Sequence, residues 1–187
     1  IVFGKEKGSA EIAKELGCHH IRDVPYKFGL PLINAMFELA TRAARHHVLC
    51  YINADIILMG TPVKAVELVM NHFGRFLCSG QRTDLDVNQR IDFQDPHWDQ
   101  KLLSRVQKRG RLHPPWGMDY FVYREDVWGS IPPFVAGCVM FDNWLVGQAL
   151  TRNAPVVDLT KVVTAIHQNH GNRVSRDGPE KEYNYGL

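Results

Sequence analysis

The chain has 187 residues, of which 45% are hydrophobic and 22% charged, and its formal net charge is +2 at pH 7. A chain of this length can bury a sizeable hydrophobic core without disulfides or a structural metal. The small net charge gives no argument for binding nucleic acid or an anionic membrane. No apolar run of about 18 residues or more predicts a membrane-spanning helix.

In chain order, apolar runs of strand length alternate with stretches whose apolar residues recur at helical spacing. The predicted strands are residues 1–3, 20–24, 48–58, 76–80, 120–123, 156–159 and 162–166. The predicted helices are residues 10–16, 30–45, 61–73, 101–109 and 141–150. This alternation predicts one α/β domain over residues 1–170, with a single mixed, mostly parallel sheet flanked by helices. Residues 171–187 are polar and punctuated by Gly and Pro, and are predicted to be a tail without a core.

The cysteines give an expectation for the cellular location of the protein, and the first residue gives one for a segment that precedes the chain. Cys50 and Cys78 lie in predicted buried strands, and no CxxC pair occurs. Reduced core thiols are therefore expected, and with them a cytoplasmic location. The chain starts without Met inside an apolar run at Ile1, so we expect a further segment to precede it.

The run of residues 48–58 is typical of a strand buried on both faces. Asn53 and Asp55 are its only strongly polar residues, and two positions apart on a strand they share a face. At the end of a strand in an α/β sheet, such oxygen ligands can hold a hard divalent cation beside a diphosphate. Alternatively, Asn53 and Asp55 only cap a turn. The spacing by itself leaves both interpretations open.

Further polar residues stand at or near the ends of predicted elements. They are Arg82, Asp84, Asp119, Asp142, His167 and His170. A right-handed α/β topology would bring several of them to one edge of the sheet. For each histidine alone, a cap or hydrogen bond to nearby backbone is the favoured explanation, but this explanation is weaker for the residues as a set. The charged segment 81–111 is either solvated surface or a flap that faces a substrate. The adjacent Cys18, His19 and His20 favour packing over metal binding, because neighbours on a strand face opposite ways.

Four segments in this order resemble nucleotide-sugar-dependent glycosyltransferases of the GT-A fold. They are residues 51–58 (YINADIIL), 117–121 (GMDYF), 141–145 (FDNWL) and 163–170 (VTAIHQNH). The resemblance runs through most of residues 1–170. It implies a GT-A-like sheet whose first βα unit would precede Ile1. It also implies metal-dependent, inverting transfer of a sugar from a nucleotide-diphosphate donor to an acceptor hydroxyl.

The resemblance also implies roles for individual residues. Asp55 matches the second acid of the DXD motif, and Asn53 stands where the first acid is expected. Mn²⁺ or Mg²⁺ would be held by Asp55 with His167 or His170, of which only one is expected to be a ligand because they would face opposite ways on a continuing strand. The remaining implied site residues are Asn53, Arg82 and Asp84 for the donor, Trp116, Asp119 and Tyr120 for the acceptor, and Asp142 as the general base.

Two other functions fit the same chain. A nucleotidyltransferase on a related sheet would need a Gly-rich basic segment before Ile1. A degenerate, non-catalytic GT-A domain would act as a binding or assembly module. Asn53 in place of an acid and the absent first unit favour the module, whereas Asp55, Asp142 and the two C-terminal histidines argue against it.

Overall fold

The computed structural model describes residues 1–171 and 178–187, which belong to two compact units. The first unit comprises Ile1–His47, Trp128–Trp144 and the described part of Asn172–Leu187. The second comprises Val48–Val127 and Leu145–Gly171. None of the helices in the described ranges is long and apolar enough to span a membrane.

Short strands and helices alternate along the chain, as the apolar periodicity predicts. The strands are β1 (Val2–Phe3), β2 (His20–Ile21), β3 (Tyr26–Lys27), β4 (Leu30–Pro31), β5 (Val48–Ile52), β6 (Ile56–Gly60), β7 (Leu77–Ser79), β8 (Arg82–Leu85), β9 (Arg111–Leu112), β10 (Tyr120–Arg124), β11 (Val156–Asp158) and β12 (Val163–Gln168). The helices are α1 (Ser9–Glu15), α2 (Ile33–Ala43), α3 (Pro62–His72), α4 (Trp98–Arg109), α5 (Phe141–Thr151) and α6 (Pro179–Tyr185).

The first unit contains two small sheets, in which β1 runs parallel to β2 and β3 antiparallel to β4. Helix α2 buries its first turns through Ile33 and Phe37, which lie four residues apart on one face. The ring of Phe37 packs edge-on against Trp128 at a centroid distance of 5.3 Å. Asn184 of α6 is 1% exposed and accepts a 2.9 Å hydrogen bond from the backbone N–H of Val135. Part of the predicted polar tail is thus a helix with a buried polar anchor, and residues 172–177 of that tail lie outside the described residues.

The second unit contains two four-stranded sheets. In one, with the order β11-β7-β10-β5, strand β10 is antiparallel to both of its neighbours and β11 is parallel to β7. In the other, with the order β6-β12-β8-β9, strand β12 is antiparallel to β6 and parallel to β8. Strands β7 and β10 form the interior, with Leu77 and Phe121 fully buried. Burial of large apolar side chains of this kind contributes roughly 1.5–3 kcal/mol each to folding.

The structure confirms the α/β class and corrects the sheet. The prediction of one sheet is wrong, because the described strands form four sheets. The mostly parallel character is not confirmed either. Only β1–β2, β7–β11 and β8–β12 are parallel pairs among the described strands, and the other five pairs are antiparallel. Apolar runs predict strands but carry little information about their partners.

Two element boundaries and the exposure of one cysteine differ from the predictions. The run 48–58 is not one strand, since β5 and β6 lie in different sheets and a turn at Asn53–Asp55 separates them. Helix α2 begins at Ile33 and not at residue 30. Pro31, which the prediction places in the first turn of this helix, lies in β4 and pairs with Tyr26 of β3. Cys50 is exposed, whereas Cys78 is buried as predicted. Burial raises the pKa of the Cys78 thiol to about 12.

Candidate metal centre

The turn between β5 and β6 brings Asp55 next to the end of β12. Strand β12 pairs with β6 on one side and with β8 on the other, so His167 stands in register with both Ile56 and Asp84. The backbone N–H of Gln168 donates to the carbonyl oxygen of Asp55 at 3.2 Å. These backbone contacts place residues 55, 84 and 167 side by side, although they are far apart in the sequence.

Asp55, His167 and His170 form a cluster, which we call the metal cluster. One ligand atom from each residue lies within 4.8 Å of the others. Nε2 of His170 is 2.8 Å from Oδ2 of Asp55, and Nε2 of His167 is 3.7 Å from the same oxygen. The histidines would face opposite ways only on a continuing strand, and β12 ends at Gln168, before His170. Both imidazoles therefore approach one carboxylate.

The other ring nitrogen of each histidine faces a hydrogen-bond acceptor. Nδ1 of His167 lies 3.0 Å from Oδ1 of Asp84, and Nδ1 of His170 lies 2.9 Å from the carbonyl oxygen of Gly171. Carboxylate and carbonyl oxygens only accept, so Nδ1 carries the hydrogen in both rings. In a neutral imidazole Nε2 then presents a lone pair. The carboxylate of Asp55 also only accepts, so the approach of both Nε2 atoms to it requires either protonated imidazoles or a cation between the rings and the carboxylate.

Asp55 has a second feature typical of a cation ligand. Its Oδ1 is buried and has no hydrogen-bond partner among the described residues. A buried, unpaired carboxylate oxygen costs free energy, and a coordinated ion is one way in which such a cost is offset. The residues present thus fit a divalent cation with one carboxylate and two imidazole ligands.

Asp84 connects the metal cluster to the rest of the second unit. Its Oδ2 is 2.9 Å from Nδ1 of His113, and its Oδ1 is 3.0 Å from Nε of Arg82. Burial raises the pKa of Asp84, but the hydrogen bond from His113 and the positive charge of Arg82 outweigh that effect. Its pKa is therefore lower than usual. Asp84 is an ionised carboxylate that holds His113 and His167 in fixed orientations.

Arg82 continues the network to Asp119. One of its terminal nitrogens is 2.8 Å from Oδ2 of Asp119. Burial lowers the pKa of Arg82, and its hydrogen bond and attraction to Asp119, together with Asp84, raise it more. Asp119 is 8% exposed, and its Oδ1 accepts a 2.7 Å hydrogen bond from Nδ2 of Asn53. Oδ1 of Asn53 accepts at 2.8 Å from the hydroxyl of Tyr51. Both ends of the Asn53 amide therefore bond inside the protein and fix the β5–β6 turn.

The predicted acceptor and base residues lie in different surroundings. Trp116 is 62% exposed in the loop before β10, whereas Tyr120 is 1% exposed inside the core. Asp119 contacts Arg82 and Asn53. Asp142 belongs to the first unit, in the first turn of α5, and its Oδ1 accepts from the backbone N–H of Asn143 at 2.9 Å.

Sequence reasoning missed His113 and the strand that carries Asp84. Strand β8 lies in the charged segment 81–111, which is predicted to be solvated surface or a flap. In β8, buried Thr83 and Leu85 alternate with half-buried Arg82 and Asp84. That alternation is the pattern of a strand with one buried face, and it is a signal that the sequence contains.

No protein-family model matches this chain, and no match to a curated protein is found at a significant level.

Proposed function

We propose that Asp55, His167 and His170 bind a divalent cation, and that the chain is a metal-dependent glycosyltransferase that uses a nucleotide-diphosphate sugar. The observation that carries the proposal is the convergence of two imidazole Nε2 atoms on one oxygen of Asp55. Asp55 belongs to the segment that resembles the DXD region. The resemblance supplies the reaction, and the cluster supports the cation.

The ligand set favours Mn²⁺ over Mg²⁺. Magnesium binds almost entirely through oxygen, whereas two imidazoles and one carboxylate suit a first-row transition metal. When bound, such a cation neutralises the diphosphate of the donor and stabilises it as a leaving group.

The residues of the chain orient the ligands and move the proton. Asp84 holds Nδ1 of His167, which leaves Nε2 facing Asp55, where it would be a cation ligand. Arg82 adds positive charge next to Asp84, and the Asn53–Asp119 hydrogen bond fixes the turn that presents Asp55. Asp142, assigned from the resemblance, would accept the proton of the acceptor hydroxyl as its oxygen attacks the anomeric carbon.

Binding of Mn²⁺, measured by electron paramagnetic resonance and calorimetry, tests the metal cluster. We expect wild-type protein to bind one Mn²⁺, and His167→Ala, His170→Ala and Asp55→Ala each to lower the affinity at least tenfold. His97→Ala is the matched control, because His97 is an exposed histidine of the same unit outside the cluster. Equal affinity in all four variants would contradict the proposal.

Donor binding separates the enzyme from the binding module. Calorimetry with a nucleotide-diphosphate sugar should give a Kd that tightens when Mn²⁺ is added, and the same mixture should transfer or hydrolyse the sugar. Binding without turnover at any acceptor concentration would favour the degenerate module. If the protein bound Zn²⁺ or Fe²⁺ tightly and bound no nucleotide sugar, both the enzyme and the binding module would be contradicted, and another metal chemistry would be indicated.

A further inference from the structure

A cleft of about 660 Å³ lies in the second unit beside the metal cluster. Its lining is mainly polar and includes Arg105, Arg109 and Arg111 together with Asp84 and Asn169. Asp84 contacts His167, and Asn169 is the residue before His170. Asp84 and Asn169 therefore connect the cleft to the metal cluster. Its volume lies within the range of sites that bind small molecules, roughly 300–1,000 Å³.

The local fold brings the three arginines together. Arg105 and Arg109 are four residues apart on α4, so they lie on one face of the helix one turn from each other. Gly110 ends the helix, and Arg111 then enters β9, where it pairs with Asp84 of β8. A helix and the adjoining strand thus direct three guanidinium groups into one cleft from a segment of seven residues.

The acidic residues in the cleft are already engaged. Asp84 contacts Arg82, His113 and His167, and Oδ1 of Asp86 accepts a 2.8 Å hydrogen bond from Nδ2 of Asn169. Arg105 donates to a neutral group, the carbonyl oxygen of Asp86, at 2.7 Å.

Arg109 and Arg111 are exposed, and no side-chain hydrogen bond or ion pair joins either of them to another residue of the described ranges. Lys101 on the same helix, by contrast, has Asp95 as its partner. Like charges gathered in one cleft repel each other, and an anionic ligand relieves that repulsion. Three arginines and two carboxylates line the cleft, so its lining has a net positive charge.

We propose that this arginine cleft binds a phosphate-bearing ligand, with Arg109 and Arg111 as its principal contacts. Guanidinium groups bind phosphate through two parallel N–H···O bonds, and three of them around one cleft suit a ligand with two or more anionic oxygens. The inference that this ligand is a substrate rests on the proposed function, whereas the inference of an anion site does not. The phosphates belong either to the nucleotide-sugar donor or to an anionic acceptor.

Calorimetry with pyrophosphate as the probe, in EDTA at low ionic strength, tests the site without any cation. Arg109→Gln and Arg111→Gln should each weaken pyrophosphate binding at least fivefold, and the double variant at least 20-fold. Lys108→Gln is the matched control, because Lys108 is an exposed cation of α4 that does not line the cleft. It should change the Kd less than twofold. Thermal unfolding of each variant confirms that it folds.

Two outcomes would overturn the proposal. One is a wild-type protein that binds no pyrophosphate. The other is a loss in Lys108→Gln as large as in Arg109→Gln, which would mean attraction to net charge alone. Asp55→Ala, tested in EDTA, should keep pyrophosphate binding, so failure of the metal proposal and failure of the arginine cleft are separable.

Competition identifies the source of the phosphate. If a nucleotide-diphosphate sugar with Mn²⁺ displaces pyrophosphate, the cleft belongs to the donor. If both bind together, the cleft belongs to an anionic acceptor. Either result supports the anion site.

Discussion

Nδ1 of His167 lies 3.0 Å from Oδ1 of Asp84, a residue 83 positions earlier in the chain. This contact fixes the orientation of the imidazole and leaves Nε2 facing Asp55. Asp84, which the resemblance would place against the donor, thus contacts the histidine that we propose as a cation ligand. The same carboxylate also holds His113.

The first prediction concerns this contact. Asp84→Asn should weaken Mn²⁺ binding about 10–100-fold, because an amide presents only one acceptor oxygen and cannot receive both histidine N–H groups. Electron paramagnetic resonance measures the affinity. Asp86→Asn is the matched control, since Asp86 is a nearby acid whose carboxylate bonds to Asn169. An unchanged Mn²⁺ affinity in Asp84→Asn would mean that packing alone orients His167.

A second prediction follows from the lowered pKa of Asp84. The unfolded chain binds a proton at this site at a higher pH than the folded protein does, so stability falls as the pH drops through that interval. The stabilisation is complete above the usual Asp pKa of about 3.9 and disappears below the folded-state value. Asp84→Asn should therefore be less stable at neutral pH, and its free energy of unfolding should depend less steeply on pH in acid. Urea unfolding in EDTA at several pH values measures both quantities. If the free energy of unfolding of wild type and of Asp84→Asn fell equally with pH in acid, the lowered pKa of Asp84 would be contradicted.

The third prediction is that introducing an acid at position 53 destabilises the protein. Asn53→Asp removes the donor to Asp119 and places two carboxylates next to each other at a largely buried position. Loss of this hydrogen bond and the new repulsion should lower the free energy of unfolding by roughly 1–3 kcal/mol.

The control for that substitution is Asn143→Asp, in which an exposed amide also donates to a neighbouring carboxylate. Solvent screens this pair, so the change should stay within about 0.5 kcal/mol. Chemical denaturation compares the two variants. If Asn53→Asp were as stable as wild type and bound Mn²⁺ more tightly, position 53 would be a cation-ligand position, and Asn53 would not be needed to fix the β5–β6 turn.

The fourth prediction separates the base from the cation ligand. Asp142→Asn should leave Mn²⁺ and donor binding nearly unchanged and lower sugar transfer by roughly 10²–10⁴-fold, because an amide cannot accept the acceptor's proton. Asp55→Ala should instead weaken the Mn²⁺-dependent part of donor binding. Asp126→Asn, at an exposed acid, serves as the control. Wild-type transfer by Asp142→Asn would make Asp142 structural.

The sequence by itself determined most of the local structure and three of the candidate ligands. Apolar periodicity located α3, α4, α5 and strands β7, β10, β11 and β12, because a helix or strand face is encoded by spacing within about ten residues. Asp55, His167 and His170 stood out because they are polar residues at or near the ends of apolar runs. The alternation along β8 was also present in the sequence.

Only the tertiary structure decided how these residues meet. The run 48–58 divides between two sheets, and strand partners depend on packing between distant segments, which spacing does not record. Asn53 bonds to Asp119, 66 residues away, and that contact fixes the turn before Asp55. The imidazole of His113 joins the network through its contact with Asp84. A hydrogen bond needs two atoms about 3 Å apart, and that proximity is a property of the fold.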